Sequence, residues 1–328
     1  MKKLYIFFLI LITIPFYSQW VQQNSGTTQS LNDVYCISES IVIAVGNNGT
    51  ILKTVDGGTN WIQKTSNTIN NLIKVQFSGQ NVGYAVGSNA TVLKTINAGE
   101  TWTTLPIEEN VNLYGLSVLN ENTFFISGEN GLLKKTIDGG LAFSNISTSN
   151  NQLISKIQFI SNQIGFNQSI NTDNFQENNL YKTIDGGISW TIINNDYFIE
   201  TFHFLNENVG FIAKSHENIY KTIDSGINLS YTNSSTIHTY RTDIFSLNED
   251  IIWDVGNSYL LCWCSYYCVS KIDSSNPEIT NCINGFNSEL FFLTTLFISQ
   301  MKLLVLLLVK MALSTKTQLE QWKKQLLQ

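Results

Sequence analysis

Two carboxylates facing each other roughly 5 to 9.5 Å apart can hydrolyse a glycosidic bond, so the acids are the first residues to place. By residue type the candidates are Glu108, Glu109, Asp196, Glu200, Glu207, Glu249 and Asp250. Most fall where hairpin loops are expected, and a solvated loop acid is the plain reading there. His203, His216 and His238 are far apart in sequence and form no metal-ligand spacing. His203 falls on an expected inner strand, where a hydrogen-bonded structural imidazole is the simpler assignment. Of the five cysteines, Cys36 stands alone, while Cys262, Cys264, Cys268 and Cys282 cluster. In an exported chain those four can form disulfides of undetermined connectivity, and their spacing matches no standard zinc pattern. No phosphate-binding Gly-Lys-Ser loop or nucleophile elbow occurs. The net charge of -6 leaves no basic footprint for nucleic acid. The residues therefore indicate no catalytic group, cofactor or metal.

The positioning elements are much more legible. Gly49-Thr-Ile-Leu-Lys-Thr54 reads as a short strand, Thr54-Val-Asp-Gly-Gly58 as a tight turn, and Trp61 as the opening of the next strand. The turn returns around Asn97 with Trp102, Asp138 with Phe143, Asp185 with Trp190 and Asp224 with Leu229. In every copy, starting from Asp56 with Trp61, the bulky residue follows five after the Asp or Asn. The first three copies are 41 residues apart, the next two intervals 47 and 39. A period near 40 with several short strands per unit defines an all-β fold, a β-propeller of four-stranded antiparallel blades.

Seven blades are expected, six readable and the seventh disrupted. In the second unit Leu72–Phe77 is the inner strand, Gly83–Gly87 the buried second, Thr91–Thr95 the third, and Trp102 begins the outer fourth. Small residues such as Gly83, Gly165 and Gly210 in the second strands are expected to let neighbouring sheets approach. Trp20 precedes Trp61 by 41 residues, in phase with the outer strands, so Trp20–Gln23 is expected to close the ring as the last blade's outer strand. The sixth unit is degenerate. Ile251–Gly256 suits its second strand, Ser270–Ser274 its turn, and a Cys-rich stretch lies between. Glu289–Leu293 suits the first strand of a seventh.

Three segments follow. Residues 1–18 read as a secretory signal peptide, with Met1-Lys2-Lys3 ahead of an apolar run; 19–295 carry the repeats; 296–328 form an aberrant tail. Leu290–Val309 is apolar enough for a membrane span, although Gln300 and Lys302 lie inside it. The favoured reading is a frameshift. Regrouping permitted codons of Leu296–Lys316 by one base writes FYFTNETVGFAVSKNGTIYK. That string aligns without gaps to Val75–Lys94, matching at Phe77, Val82, Gly83, Ala85, Val86, Asn89, Thr91 and Lys94.

The pattern Thr-x-Asp-Gly-Gly-x-x-Trp resembles the Asp-box of BNR-repeat propellers. The longer unit, Gly-Tyr-Ala-Val-Gly through Lys-Thr-x-Asp-Gly-Gly-x-x-Trp, is similar to the photosystem II stability/assembly factor type. The resemblance covers Trp20 to about Ser274. It implies that Asp56, Asp138, Asp185 and Asp224, with Asn97 as a substituted copy, are structural residues on the outer rim. It also implies a secreted protein of a Gram-negative, Bacteroidetes-type bacterium, in which a type IX secretion domain often follows the propeller. Sialidases carry Asp-boxes too, but hold a carboxylate with three arginines, and this chain has Arg241 alone. Two classes remain open. One is a secreted or surface non-catalytic binding or scaffold module, monomeric, whose partner is an extracellular protein or a polysaccharide. The other is a glycosidase other than a sialidase. A truncated pseudogene product would account for the tail in either class. Trp253, Trp263, Tyr266 and Tyr267 could form a sugar platform, with core packing as the plainer alternative.

Overall fold

The computed structural model describes residues 23–146, 151–171, 178–194, 199–214, 218–232, 240–260, 264–273 and 279–284, with backbone alone for 240–242 and from 255 onward. Within them, short strands joined by tight turns form six four-stranded antiparallel sheets, each a simple meander. Sheet 1 is β1 (Leu31–Cys36), β2 (Val42–Gly46), β3 (Ile51–Thr54) and β4 (Ile62–Lys64). Sheet 2 is β5 (Leu72–Ser78), β6 (Val82–Gly87), β7 (Val92–Thr95) and β8 (Thr103–Thr104). Sheet 3 is β9 (Leu113–Val118), β10 (Phe124–Gly128), β11 (Leu133–Thr136) and β12 (Ser144–Asn145). Sheet 4 is β13 (Leu153–Phe159), β14 (Gly165–Ile170), β15 (Asn178–Thr183) and β16 (Thr191–Asn194). Sheet 5 is β17 (Ile199–Phe204), β18 (Gly210–Lys214), β19 (Ile219–Thr222) and β20 (Ser230–Tyr231). Sheet 6 is β21 (Tyr240–Ser246), β22 (Ile251–Leu260), β23 (Cys264–Asp273) and β24 (Ile279–Asn284).

Burial follows strand position. The second strands β2, β6, β10 and β18 are buried at every residue, so they are written as unbroken runs such as Val42-Ile-Ala-Val45. The outer strands β8, β12 and β20 are exposed. Consecutive sheets pack face to face. Ile43, Val45 and Ile51 of sheet 1 meet Leu72, Val75 and Phe77 of sheet 2. Phe125 stacks on Phe159 between sheets 3 and 4 with ring centroids 3.5 Å apart, and Phe166 stacks on Phe204 between sheets 4 and 5 at 3.6 Å. Each such ring contributes about 1.5–3 kcal/mol by leaving water.

Two local expectations change. The glycines that open the second strands make room within their own sheet. A side chain at Gly83, Gly165 or Gly210 would collide with the ring of Phe77, Phe159 or Phe204 on the paired first strand. The sixth unit also differs, because β23 continues as strand through Asp273. The expected turn at Ser270–Ser274 is therefore not placed there. Ile252 pairs with Ile272 as Val42 pairs with Thr54, so the station of the turn's threonine holds isoleucine. Without that hydroxyl the turn chemistry has no anchor. Trp20–Gln22, the signal segment, Glu289–Leu293 and the whole tail from 296 lie outside the described residues. Among the described residues no helix is long and apolar enough to cross a membrane.

Candidate functional site

Two sets of repeated positions carry the polar chemistry, one on the rim and one at the axis. On the rim the threonine that ends the third strand organises each loop. Thr54 Oγ1 donates to Asp56 Oδ1 at 2.8 Å and accepts from Gly58 N at 2.9 Å. Asp56 Oδ1 also accepts from Asn60 N at 2.9 Å, and Oδ2 from the Asn60 amide at 2.7 Å. Asp138 receives Thr136 and the N–H groups of Leu141 and Ala142. Asp185 receives Thr183 and both the N–H and hydroxyl of Ser189, and Asp224 receives Thr222 and Asn228. Asn97 uses its amide oxygen in the same way, accepting from Thr95 Oγ1 and Thr101 N at 3.0 Å each.

These bonds stabilise the charged carboxylate. The Asn60 backbone N–H, foremost among the contacts, holds the Asp56 pKa down at about 2. The Ser189 hydroxyl leads the contacts that do the same for Asp185, also at about 2. Asp138 and Asp224 are lowered too, chiefly by the N–H groups of Ala142 and Asn228. The bulky residue five later packs inward. Trp102 is buried and donates Nε1–H to Gly99 O at 3.2 Å. Trp102, Phe143 and Trp190 sit edge-on to Phe77, Phe124 and Phe159. Trp61 and Leu229 pack against the cores of sheets 1 and 5. All ten rim residues thus sit in turns or the packing beneath them, and none lines the axial pocket.

At the axis the first strands of all six sheets enclose a cavity of about 270 Å³. A register shift recurs in the pairing of every first and second strand, just before Asp33, Lys74, Lys156, Thr201 and Asp243 and at the matching point by Gly115. Such bulges re-aim side chains, and here they deliver one residue per sheet to the same level. Lys156 Nζ donates to Asp243 Oδ1 at 2.8 Å and to Thr201 Oγ1 at 2.7 Å, and lies over the Phe202 ring. Burial pushes the Lys156 pKa down, with Asp243 opposing. Lys74 Nζ stands 3.7 Å from Asp33 and 4.0 Å from Asp243.

Two residues further along each first strand comes a second level, Tyr35, Gln76, Ser117, Gln158, His203 and Phe245. It joins each sheet to the next. Tyr35 donates to Phe77 O; Gln76, Ser117 and Gln158 accept from the N–H groups of Val118, Phe159 and Phe204. His203 Nδ1 accepts from Ser246 N, which assigns its proton to Nε2, and lies 2.7 Å from the Ser246 hydroxyl. Burial, and then Lys156, lower the His203 pKa to about 4, so the ring is neutral at pH 7.

Chemically this is a cavity lined by charges of both signs. Asp33 and Asp243 both line the cavity, but the Lys74 ammonium lies between them. Backbone N–H groups of Val75 and Ile244 occupy one oxygen of each. Both carboxylates are thus engaged by the lysine and by backbone N–H groups. Of the acids first considered, Glu109 pairs with Lys134 and Glu249 with Lys221; Asp196 lies outside the described residues, and the rest do not line the axial cavity. His203 and Trp253 reach the pocket. His216, His238 and Trp263 lie outside the described residues, as do the side chains of Arg241, Tyr266 and Tyr267. Cys36 is buried; Cys268 stands opposite Cys282 in the β23–β24 ladder, and Cys262 lies outside the described residues. Among the described residues no group of three or more His, Cys, Asp or Glu could hold a metal ion. Asp33, Lys74, Gly115 and Lys156 follow the same 41-residue interval as the turns, a signal that residue-type motifs pass over.

Repeated meanders around a walled axis, with Asp-box loops on the rim, define a BNR-type β-propeller. Its sequence resembles the photosynthesis system II assembly factor YCF48 family, whose pattern matches residues 61–198. The structure of YCF48 bound to D1 peptide superposes with a TM-score of 0.61 at 16% identity, covering 82% of this chain and 84% of that one. The Niastella koreensis GH74 enzyme gives 0.58 at 16% identity, over 80% of this chain and 48% of that one. U3-55K gives 0.57 at 10% identity, over 74% and 78%. No curated protein matches by sequence.

Proposed function

We propose that this propeller is a non-catalytic binding module, exported from the cell, that receives part of a protein partner at its axial pocket. The observation that carries the reading is the Lys74–Asp33–Asp243–Lys156 network. It offers charge of both signs, closed on itself, in a cavity of about 270 Å³. Such a surface suits hydrogen-bonding and charged peptide groups, which exchange partners without a change of net charge. The YCF48 structure with its bound D1 peptide supports peptide recognition on this fold. The rim carboxylates, taken up by their own turns, are structural in this reading.

A pull-down from the source organism's culture, with the native chain and Lys74→Met/Lys156→Met in parallel, tests it. One protein retained by the first and lost by the second is the expected result; identical retention would sink the axial assignment. Likeness to the GH74 enzyme keeps glycoside hydrolysis as the second reading. Incubation with a polysaccharide panel and assay of new reducing ends decides it, and none are expected. Export is checked by fractionation, with mature protein starting near Ser18–Gln19 expected outside the cytoplasm.

A further inference from the structure

Three of the rim turns leave large aliphatic groups in water. Ile137 and Leu141 in sheet 3, Ile184 and Ile188 in sheet 4, and Ile223 and Ile227 in sheet 5 are each 70% to 82% exposed. The turn does not require the second member of these pairs. Its geometry rests on threonine, the Asp or Asn, and glycine, and at that position sheets 1 and 2 hold Thr59 and Glu100. Glu100 is taken up by Lys53 and Lys64, at 2.6 Å each. The rim is therefore polar at this station in sheets 1 and 2 and aliphatic in sheets 3 to 5. A scattered exposed Ile needs no explanation, but three neighbouring pairs on one edge mark a contact surface.

The three turns share one face of the molecule. Each is bonded to the loop that follows the first strand of its own sheet: Gly139 N donates to Asn122 O, Gly186 N to Gln163 O and Ser225 N to Asn208 O. The axial bulge lies at the other end of each first strand, near its start. Neighbouring turns also touch across sheets. Lys182 Nζ of sheet 4 donates to Ser225 Oγ at 2.7 Å and to Glu207 O at 3.0 Å in sheet 5, and Gly187 comes close to Ile146 of sheet 3. The arc is acidic as well as aliphatic. Its turns and loops carry Glu121, Asp138, Asp185, Glu207 and Asp224 and no lysine or arginine. Of the lysines just ahead of the turns, Lys135 lies over the Phe125 ring and Lys221 pairs with Glu249.

Charge decides what can cover such a surface. A second copy would set acid against acid, and a phospholipid surface would set phosphate against acid; both juxtapositions are repulsive. We propose that the rim of sheets 3 to 5 docks a partner polypeptide segment that combines lysine or arginine with aliphatic side chains. The aliphatic groups of that segment cover the exposed Ile and Leu pairs, and its cations meet the five carboxylates. The surface lies at the opposite end of the sheets from the axial bulges, so it does not depend on what the axis binds.

The test measures binding of two short synthetic peptides to the full chain, one alternating lysine with leucine and one alternating glutamate with leucine. The variant Leu141→Thr/Ile188→Thr/Ile227→Thr takes the residue found at position 59 and leaves every charge in place. The native chain is expected to hold the lysine peptide at least about tenfold more tightly than this variant. Glu121→Gln/Glu207→Gln should weaken it severalfold, added salt should weaken it further, and the glutamate peptide should not bind. Lys74→Met/Lys156→Met should bind the lysine peptide as the native chain does, which separates this surface from the axial one. Equal binding by the native chain and the threonine variant would overturn the proposal. So would loss of binding in the lysine variant, a dimer that the threonine variant abolishes, or sedimentation with phosphatidylcholine vesicles that it abolishes. Should the triple variant not fold, Ile188→Thr alone is compared with Ile69→Thr, an equally exposed site off the arc. Weaker binding in the first alone supports the proposal, and equal binding in both overturns it.

Discussion

Rim and axis are built from the same repeat, yet they have diverged to very different degrees. The rim turn occurs in five copies with one hydrogen-bond plan, and its one polar substitution, Asn97 for Asp, keeps the accepting oxygen. The axial station reads Asp33, Lys74, Gly115, Lys156, Thr201 and Asp243, four residue types of differing charge and size in six sheets. The rim loop must satisfy its own backbone N–H groups within a few residues, so each copy meets the same local problem and solves it with the same residues. Axial side chains meet one another across sheets, so what each must be depends on its neighbours around the ring. Local self-sufficiency preserves a repeat, and shared space lets it vary.

The largest effect should come from the rim backbone. Gly187 has φ of +96°, and a side chain there would meet Ile146. Gly187→Val is expected to destabilise by about 3 kcal/mol, measured by denaturant unfolding. A loss under about 1 kcal/mol would mean that the rim is not set by this geometry. At the axis, Lys156→Met removes the closest ammonium from Asp243 and Thr201, leaving Asp243 the more distant Lys74, and should cost about 2 kcal/mol. Pairing it with Asp243→Leu should recover much of that loss, and a double-mutant cycle reads the coupling.

Smaller effects separate the regions by pH. His203, with its pKa lowered to about 4 from 6.5, binds a proton more readily when unfolded. Its contribution is complete above about pH 6.5 and is lost as pH falls toward 4. Asp56 and Asp185, lowered from 3.8 to about 2, stabilise fully above about pH 4 and lose that contribution as pH falls through 2. Acidification should therefore weaken the axis before the rim. In thermal melts from pH 7 to 2, His203→Gln should flatten the upper window and Asp185→Asn the lower one. The smallest change is expected for Asp185→Asn at pH 7, smaller than for Asp185→Ala, because Asn97 already fills that role in the second copy. Equal midpoints for the two variants would remove the accepting oxygen from the account.

The turns, the buried second strands and the alternation of the first strands were all legible, because each depends on residues a few positions apart. Trp102 and Phe143 were visible as the bulky residue five after Asn97 and Asp138 for the same reason. The sixth unit was misread at Ser270–Ser274, since the long β22–β23 ladder prevailed over a weak turn signal that lacked its threonine and glycines. The axial residues escaped residue-type motifs, because Asp33 and Lys156 become neighbours only when separate sheets converge.

By itself the sequence determined the repeat, its all-β character and the rim turns, since period, apolar alternation and Asp-Gly-Gly chemistry act over short range. Tertiary structure alone decided that a bulge in every first strand aims one residue at a common axis. It also decided that Lys74 stands between two carboxylates and that His203 is held neutral. Those properties arise from burial and charge shared among sheets more than 40 residues apart in the chain.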